Sequence, residues 1–191
     1  MQILPPRQAF SGSLKRALSY YGVNVPVVGK IAKRYWAGIK FREKNEIFSL
    51  CEELYRSNYC EEAFIISSCA HLLVTRYERQ DLTMFRHWID SYITNRATCN
   101  SFCNHTMGSF MELYPEYLDE LKCWTKSNNH WMRRGAAGSL IILAKLRKYL
   151  DTVLQIADLL LTGGIGMVRK ERVWLLKKAG RKHQEEGFDR T

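Results

Sequence analysis

Two short segments of the chain place tryptophan beside arginine and lysine. The first reads HWMRR at residues 130–134, and the second reads VRKERVW at residues 168–174. An arginine guanidinium can donate two parallel hydrogen bonds to a phosphate, and a tryptophan ring offers an apolar face to a sugar or a base. These residue types predict a surface for a phosphate-bearing ligand, with the candidates Arg133, Arg134, Lys170, Arg172 and Trp174.

Each tryptophan also has a purely structural interpretation. Trp131 precedes the small residues 135–138, a pattern typical of a side chain that packs between neighbouring helices. Trp174 stands among basic residues such as Arg172 and Lys177, which favours a ligand contact, although packing in the core suits it equally. The basic residues beside both tryptophans remain the better indicators of binding.

The signatures of most enzyme classes are missing from the sequence. It contains no Walker phosphate loop, no dinucleotide-binding glycine pattern, no G-x-S-x-G and no H-E-x-x-H. The six cysteines include no C-x-x-C pair, and Cys99, Cys103 and His105 lack a fourth ligand at a spacing suited to zinc. We therefore predict no cofactor and no metal, and we expect the cysteines to be reduced.

Charge is distributed unevenly along the chain. Residues 1–44 hold nine Lys/Arg and one acidic residue, residues 45–120 hold five and twelve, and residues 121–191 hold fifteen and six, within a net charge of +10. The basic ends are either solvated helix faces or two parts of one anion-binding surface. A curved stack of helices would present both ends to the same long anion.

The elements that must position these residues are helices. Apolar residues recur every three or four positions almost throughout, and period-two alternation is scarce. The predicted helices are Ser13–Tyr21, Pro26–Trp36, Glu43–Arg56, Glu61–Tyr77, Leu82–Ile93, Thr98–Leu113, Pro115–Thr125, His130–Ala144, Lys148–Leu161 and Met167–Arg181.

Amphipathic helices joined in pairs by short connections are typical of α-solenoids. We predict an all-α fold, an α-α superhelix of stacked antiparallel helix pairs of the HEAT-like or armadillo type, forming a single domain over residues 1–191. A compact, irregular helical bundle is the alternative. Because no apolar stretch approaches a membrane span and no signal peptide precedes the first helix, we expect a cytoplasmic protein without a membrane partner.

Four stretches of the chain, taken in order, resemble the DNA alkylation repair proteins of the AlkD type, which are HEAT-like solenoids that cradle duplex DNA. These stretches are Tyr20–Pro26, Thr98–Gly108, Trp131–Arg134 and Val168–Leu176. The likeness covers most of the chain. It implies a single HEAT-like DNA-binding domain whose partner is double-stranded, alkylated DNA, and an expectation that the C-terminal repeat is truncated; it implies no oligomeric state.

The resemblance also implies a site. In that family a Trp and an Asp lie four residues apart, an Arg follows a helix-opening Trp, and a further Trp comes from the next repeat. By position the Arg is Arg134 and the later Trp is Trp174, whereas the Asp position holds Asn100 and the first Trp position holds Arg96. Asn100, Arg134 and Trp174 are thus the candidate catalytic residues, and Arg96 joins the candidate DNA contacts.

The two replacements bear on catalysis. Family glycosylases remove N3- or N7-alkylated purines through a transition state with positive charge on the sugar, which a carboxylate stabilises. Asn100 carries no charge, and Arg96 adds a positive one. The first hypothesis is therefore a duplex-DNA binder of the repair type, with N-glycosidic hydrolysis left open; the second is a catalytically inactive scaffold for a protein or structured nucleic acid. A small-molecule enzyme has no supporting constellation.

Overall fold

The computed structural model describes residues 18–160, and regular structure within them is helical. A parallel bridge joins Ser19 to Tyr59. Three-residue 3-10 turns occur at Val74–Arg76 and Pro115–Tyr117, and a π-helical turn at Phe102–Met107. The α-helices are α1 (Val25–Ile39), α2 (Lys44–Arg56), α3 (Cys60–Leu72), α4 (Asp81–Ser91), α5 (Arg96–Ser101), α6 (Gly108–Leu113), α7 (Leu118–Trp124), α8 (His130–Ser139), α9 (Ile141–Lys145) and α10 (Leu150–Leu159).

Local signals set several helix starts. The side chain of Asn24 accepts a hydrogen bond from the backbone N–H of Val27, and Pro26 occupies the first turn of α1. An N-cap side chain satisfies an otherwise unpaired amide, and proline costs nothing where no amide hydrogen bond is needed. The start of α1 therefore falls within one residue of its predicted position.

The predicted helix Ser13–Tyr21 is wrong in its described part. Ser19 instead pairs with a distant extended segment. Its backbone N–H donates a hydrogen bond to the carbonyl oxygen of Asn58 (3.1 Å), and its carbonyl oxygen accepts a hydrogen bond from the backbone N–H of Cys60 (3.0 Å). Gly22 follows with φ of 84°, a left-handed conformation that suits glycine. Pairing with a segment some forty residues away has therefore overridden the local helical pattern. A different predicted helix, Met167–Arg181, lies outside the described residues.

The chain forms two compact units, Met1–Phe102 and Cys103–Thr191. In the described part of the first unit, α1 and α2 pack against α3. An aromatic cluster fills its interior, with ring centroids of Phe48 and Phe85 both within 6 Å of Trp88, and Phe102 5.7 Å from Phe85. The edge-to-face arrangements there are the geometry that aromatic quadrupoles favour.

A buried ion pair ties the start of α2 to the start of α4. The ammonium of Lys44 lies 3.0 Å from both carboxylate oxygens of Asp81 and 2.9 Å from Glu78. Burial disfavours the charged form of Lys44, but hydrogen bonds from its ammonium to Glu78 and Asp81 outweigh that effect and raise the pKa. Lys44 therefore stays charged although its side chain is almost inaccessible.

The described part of the second unit contains α6 to α10, in which α6 packs on α9 and α7 on α8. Gly108, at the start of α6, allows a close approach. A Cβ atom there would lie 3.1 Å from Cδ1 of Ile142 and 3.4 Å from the carbonyl oxygen of Ser139. Among the described helices, none has the length and apolar character needed to cross a bilayer. The single domain over residues 1–191 stays a prediction.

Candidate functional site

Helix α5 carries two of the predicted site residues. Asn95 caps its start, its side-chain oxygen accepting hydrogen bonds from the backbone N–H groups of Ala97 (2.8 Å) and Thr98 (3.0 Å). Arg96 is the first helical residue and is exposed, and Asn100 follows one turn later and is half-buried. Residues four apart share one face of a helix, so Arg96 and Asn100 lie on the same side of α5.

A π-helical turn follows α5 directly. It spans Phe102–Met107, and both of these end residues are fully buried. The wider turn inserts one extra residue into the helical register, and such turns occur often at functional sites. The predicted helix Thr98–Leu113 is therefore right in extent, but its register changes just beyond Asn100.

Helix α8 carries the other two described candidates. Asn129 caps it by accepting the backbone N–H of Trp131 at 2.9 Å. Arg133 is half-buried and donates a hydrogen bond from Nη1 to the carbonyl oxygen of Ser127, whereas Arg134 is only 1% exposed. Trp131 is also buried, which agrees with its interpretation as a packing residue.

The structure places the described candidates in two pairs. Arg96 and Asn100 belong to the first unit, and Arg133 and Arg134 belong to the second. Of these four, Arg96 is the exposed one, and the DNA-binding role of the buried Arg134 stays a prediction. The remaining candidates lie outside the described residues and stay predictions: Lys170, Arg172 and Trp174.

The helices that bear the candidates also share an electrostatic feature. Both α5 and α8 begin with an asparagine cap and have no acidic residue in the first turn. The same is true of α1. In contrast, α2, α3, α4 and α7 each begin with an acidic first turn. A helix start carries partial positive charge that acidic residues can neutralise. The first turns of α5 and α8 contain no acidic residue that would neutralise this charge.

A polar cluster on α2 and α4 was not identified from the sequence. Glu52 accepts hydrogen bonds from the indole N–H of Trp88 (2.5 Å) and the hydroxyl of Tyr92, and it lies 3.3 Å from Nε2 of His87. Burial raises the pKa of Glu52, but hydrogen bonds from Tyr92, Trp88 and His87 outweigh burial and lower it. No sequence signal joins Glu52 to partners more than thirty residues away.

The cysteine and histidine residues near α5 show no metal-binding arrangement in the described part of the chain. Cys99 and Cys103 are buried, and residues 18–160 contain no group of three His, Cys, Asp or Glu side chains that could hold an ion. Partial burial of His105, together with the nearby charge of Lys145, lowers the pKa of the imidazole. His105 is therefore neutral at physiological pH.

Solved structures of low sequence identity share the fold. A predicted DNA alkylation repair enzyme from Enterococcus faecalis superposes with a TM-score of 0.77 at 16% identity, covering 87% of this chain and 78% of that one. AlkD2 from Streptococcus mutans gives 0.65 at 17% identity, covering 83% and 77%. The protein smu.31 from Streptococcus mutans UA159 gives 0.63 at 16% identity, covering 87% and 89%. The predicted all-α class of HEAT-like helix pairs is thereby confirmed.

The sequence comparisons give the family. No curated protein matches the chain at a significant level. A family model described as DNA alkylation repair enzyme matches residues 6–189, nearly the whole chain. The chain therefore belongs to the DNA alkylation repair enzyme family.

Proposed function

We propose that this protein binds double-stranded DNA, with alkylated duplex as its target, and that base excision is a weak or lost activity. The observation that carries the proposal is the family match over residues 6–189. The fold shared with repair proteins at a TM-score of 0.77 adds support for a repair architecture.

The described geometry is compatible with a phosphate contact at the start of α5. Arg96 is exposed there, beside a helix start without acidic residues. A guanidinium attracts phosphate oxygens, and no acidic residue in the first turn of α5 opposes that contact. Arg96 is therefore the described residue best placed to hold the DNA backbone.

The same helix argues against efficient excision. Hydrolysis of the N-glycosidic bond of an alkylated purine builds positive charge on the sugar, and a neighbouring carboxylate stabilises that charge. Asn100 can orient water through its amide oxygen but supplies no negative charge, and α5 contains no acidic residue. A catalytically inactive scaffold that binds a protein or structured nucleic acid is the second candidate, and Asn100 is the observation that favours it.

A salt-titrated binding assay tests the proposal. We expect a fluorescein-labelled duplex to bind at low salt and to lose orders of magnitude in affinity between roughly 50 and 200 mM salt, because phosphate contacts release counterions. Arg96→Gln should reduce the slope of log K against log salt by about 0.9. Arg79→Gln is the matched control. It removes the same charge from an exposed position before the start of α4, whereas Arg96 lies beyond the end of that helix.

Release of 7-methylguanine and 3-methyladenine from methylated duplex, measured in parallel, separates the candidate functions. Binding with little or no release supports the proposal. Fast release would show an efficient glycosylase that works without the carboxylate. The absence of both binding and release would overturn the proposal in favour of the protein scaffold.

A further inference from the structure

Helix α1 packs on the first unit through a narrow stripe and leaves most of its surface exposed. Only Val28 and Ala32 are buried among its fifteen residues, and α3 is the helix that it packs against. Large apolar side chains remain exposed on the rest of α1, including Tyr35 at 63% and Ile31 at 37%. Exposed apolar groups clustered on one surface are typical of a binding site.

These exposed side chains border a groove. Its volume is about 520 Å³, and its lining residues are Ile31, Arg34, Tyr35, Gly38 and Ile39. Their spacing of three and four residues places them along one flank of the helix. Gly38 opens the groove because it has no side chain, and a Cβ atom there would meet no other atom within 4 Å.

The groove lies in a strongly basic stretch. Lys30, Lys33 and Arg34 are the charged residues of α1, all three exposed, and Lys40 and Arg42 follow the helix before the first acidic residue, Glu43. Of these cations Arg34 lines the groove. Lys30 lies one turn before Arg34 on the same face of the helix, just outside the lining, whereas the helical periodicity places Lys33 on the opposite flank. The groove thus combines the exposed ring of Tyr35 with the guanidinium of Arg34, and Lys30 extends the positive charge by one turn beside Arg34.

We propose that this groove binds an unpaired strand of DNA, with a base stacked on Tyr35 and the adjoining phosphates held by Arg34 and Lys30. Aromatic side chains interleaved with cations hold single strands, because each base offers an aromatic face and each phosphate a charge. A duplex keeps its base faces stacked inside, so this site goes beyond the proposed duplex binding. The choice of DNA as the anion rests on that proposed function.

Binding of a fluorescein-labelled oligothymidylate of twelve residues to the full chain provides the test. We expect Tyr35→Ala to weaken binding by about tenfold or more, the loss typical of one stacked base. Arg34→Gln should lower the salt slope by about 0.7, the value for one phosphate contact on a single strand. Lys33→Gln removes the same charge from the opposite flank and should leave the slope unchanged.

A groove-filling variant tests the same site without removing a contact residue. Gly38→Leu places a side chain in open space and should keep the wild-type melting temperature. It should weaken oligothymidylate binding while blunt duplex binding stays at the wild-type level. Because duplex binding is measured separately, failure of this site and failure of the proposed function give different results.

Two outcomes would overturn the inference. One is wild-type affinity for oligothymidylate in both Tyr35→Ala and Gly38→Leu, with melting temperatures that show both variants to be folded. The other is binding of wild-type protein to phosphatidylserine vesicles, lost in Tyr35→Ala, without measurable binding to the oligonucleotide. The second result would identify the groove as a surface for anionic lipid.

Discussion

Restoring a carboxylate at position 100 tests whether the site on α5 retains the rest of a glycosylase. Asn100→Asp replaces an amide by an isosteric carboxyl group on a half-buried position, in a helix without other acidic residues. Two unit charges about 4 Å apart attract by roughly 4 kcal/mol at the effective dielectric of a site near the surface.

The expected gain is smaller than this limit. Half-exposure of position 100 admits solvent screening, and an aspartate there would also interact with Arg96 one turn earlier, by about 0.3 to 0.5 kcal/mol. We therefore expect about 1.4 to 2.7 kcal/mol of transition-state stabilisation, which corresponds to a roughly 10- to 100-fold faster release of alkylated base.

Single-turnover release of 7-methylguanine from methylated duplex, with enzyme in excess and spontaneous depurination subtracted, measures this gain. Asn45→Asp is the matched control, because Asn45 is exposed near the start of α2 and the substitution changes the net charge equally. An Asn100→Asp protein that binds duplex and melts like the wild type, yet releases base no faster, would refute the assignment of position 100 to the reacting centre.

Three further predictions concern the framework of the helices. Lys44→Met should lower the free energy of unfolding by about 3 to 5 kcal/mol, because it removes the cation that faces the buried carboxylate of Asp81. Urea denaturation measures the loss, and a change below about 1 kcal/mol would contradict a buried ion pair. Gly108→Val should destabilise the protein by about 1 to 3 kcal/mol in the same assay, because the valine side chain would overlap Ile142. Gly108→Ala should change stability by less than about 1 kcal/mol, because the higher helix propensity of alanine offsets its milder contact with Ile142. The pKa of Glu52 is lowered in the folded state, so its stabilising contribution is complete above 4.5 and is lost as the pH falls below that value. Glu52→Gln should therefore flatten the decline in stability between about pH 5 and about pH 3 compared with the wild type, and identical pH profiles would exclude Glu52 as a contributor.

Local sequence patterns predicted most of the helices within a few residues. Helix α2 was predicted from Glu43 to Arg56 and runs from Lys44 to Arg56, because apolar spacing is a property of the helix itself. The predicted helix His130–Ala144 is divided by Leu140 into α8 and α9, a break that the spacing of the apolar residues does not indicate. The π-helical turn after Asn100 was equally invisible to a pattern that assumes 3.6 residues per turn.

The candidate site was predictable in composition but not in exposure. Arg96 and Asn100 are four residues apart, so their common face on α5 followed from the spacing. Arg134 is buried, whereas its residue type had suggested an exposed phosphate contact. The burial of a side chain depends on which helices pack over it, and that information is not contained in the helix itself.

The sequence by itself determined the helical class, the charge distribution and the resemblance that gave the family, and it predicts that Asn100 stands where the family has a carboxylate. Only the tertiary structure showed that Lys44 pairs with Asp81 and that Glu52 accepts a hydrogen bond from Trp88 of α4. It also showed that Tyr35 of α1 is exposed. Residues separated by more than thirty positions meet only when the helices pack. Periodicity and residue type act within a single helix, whereas pairing, burial and exposure arise between helices.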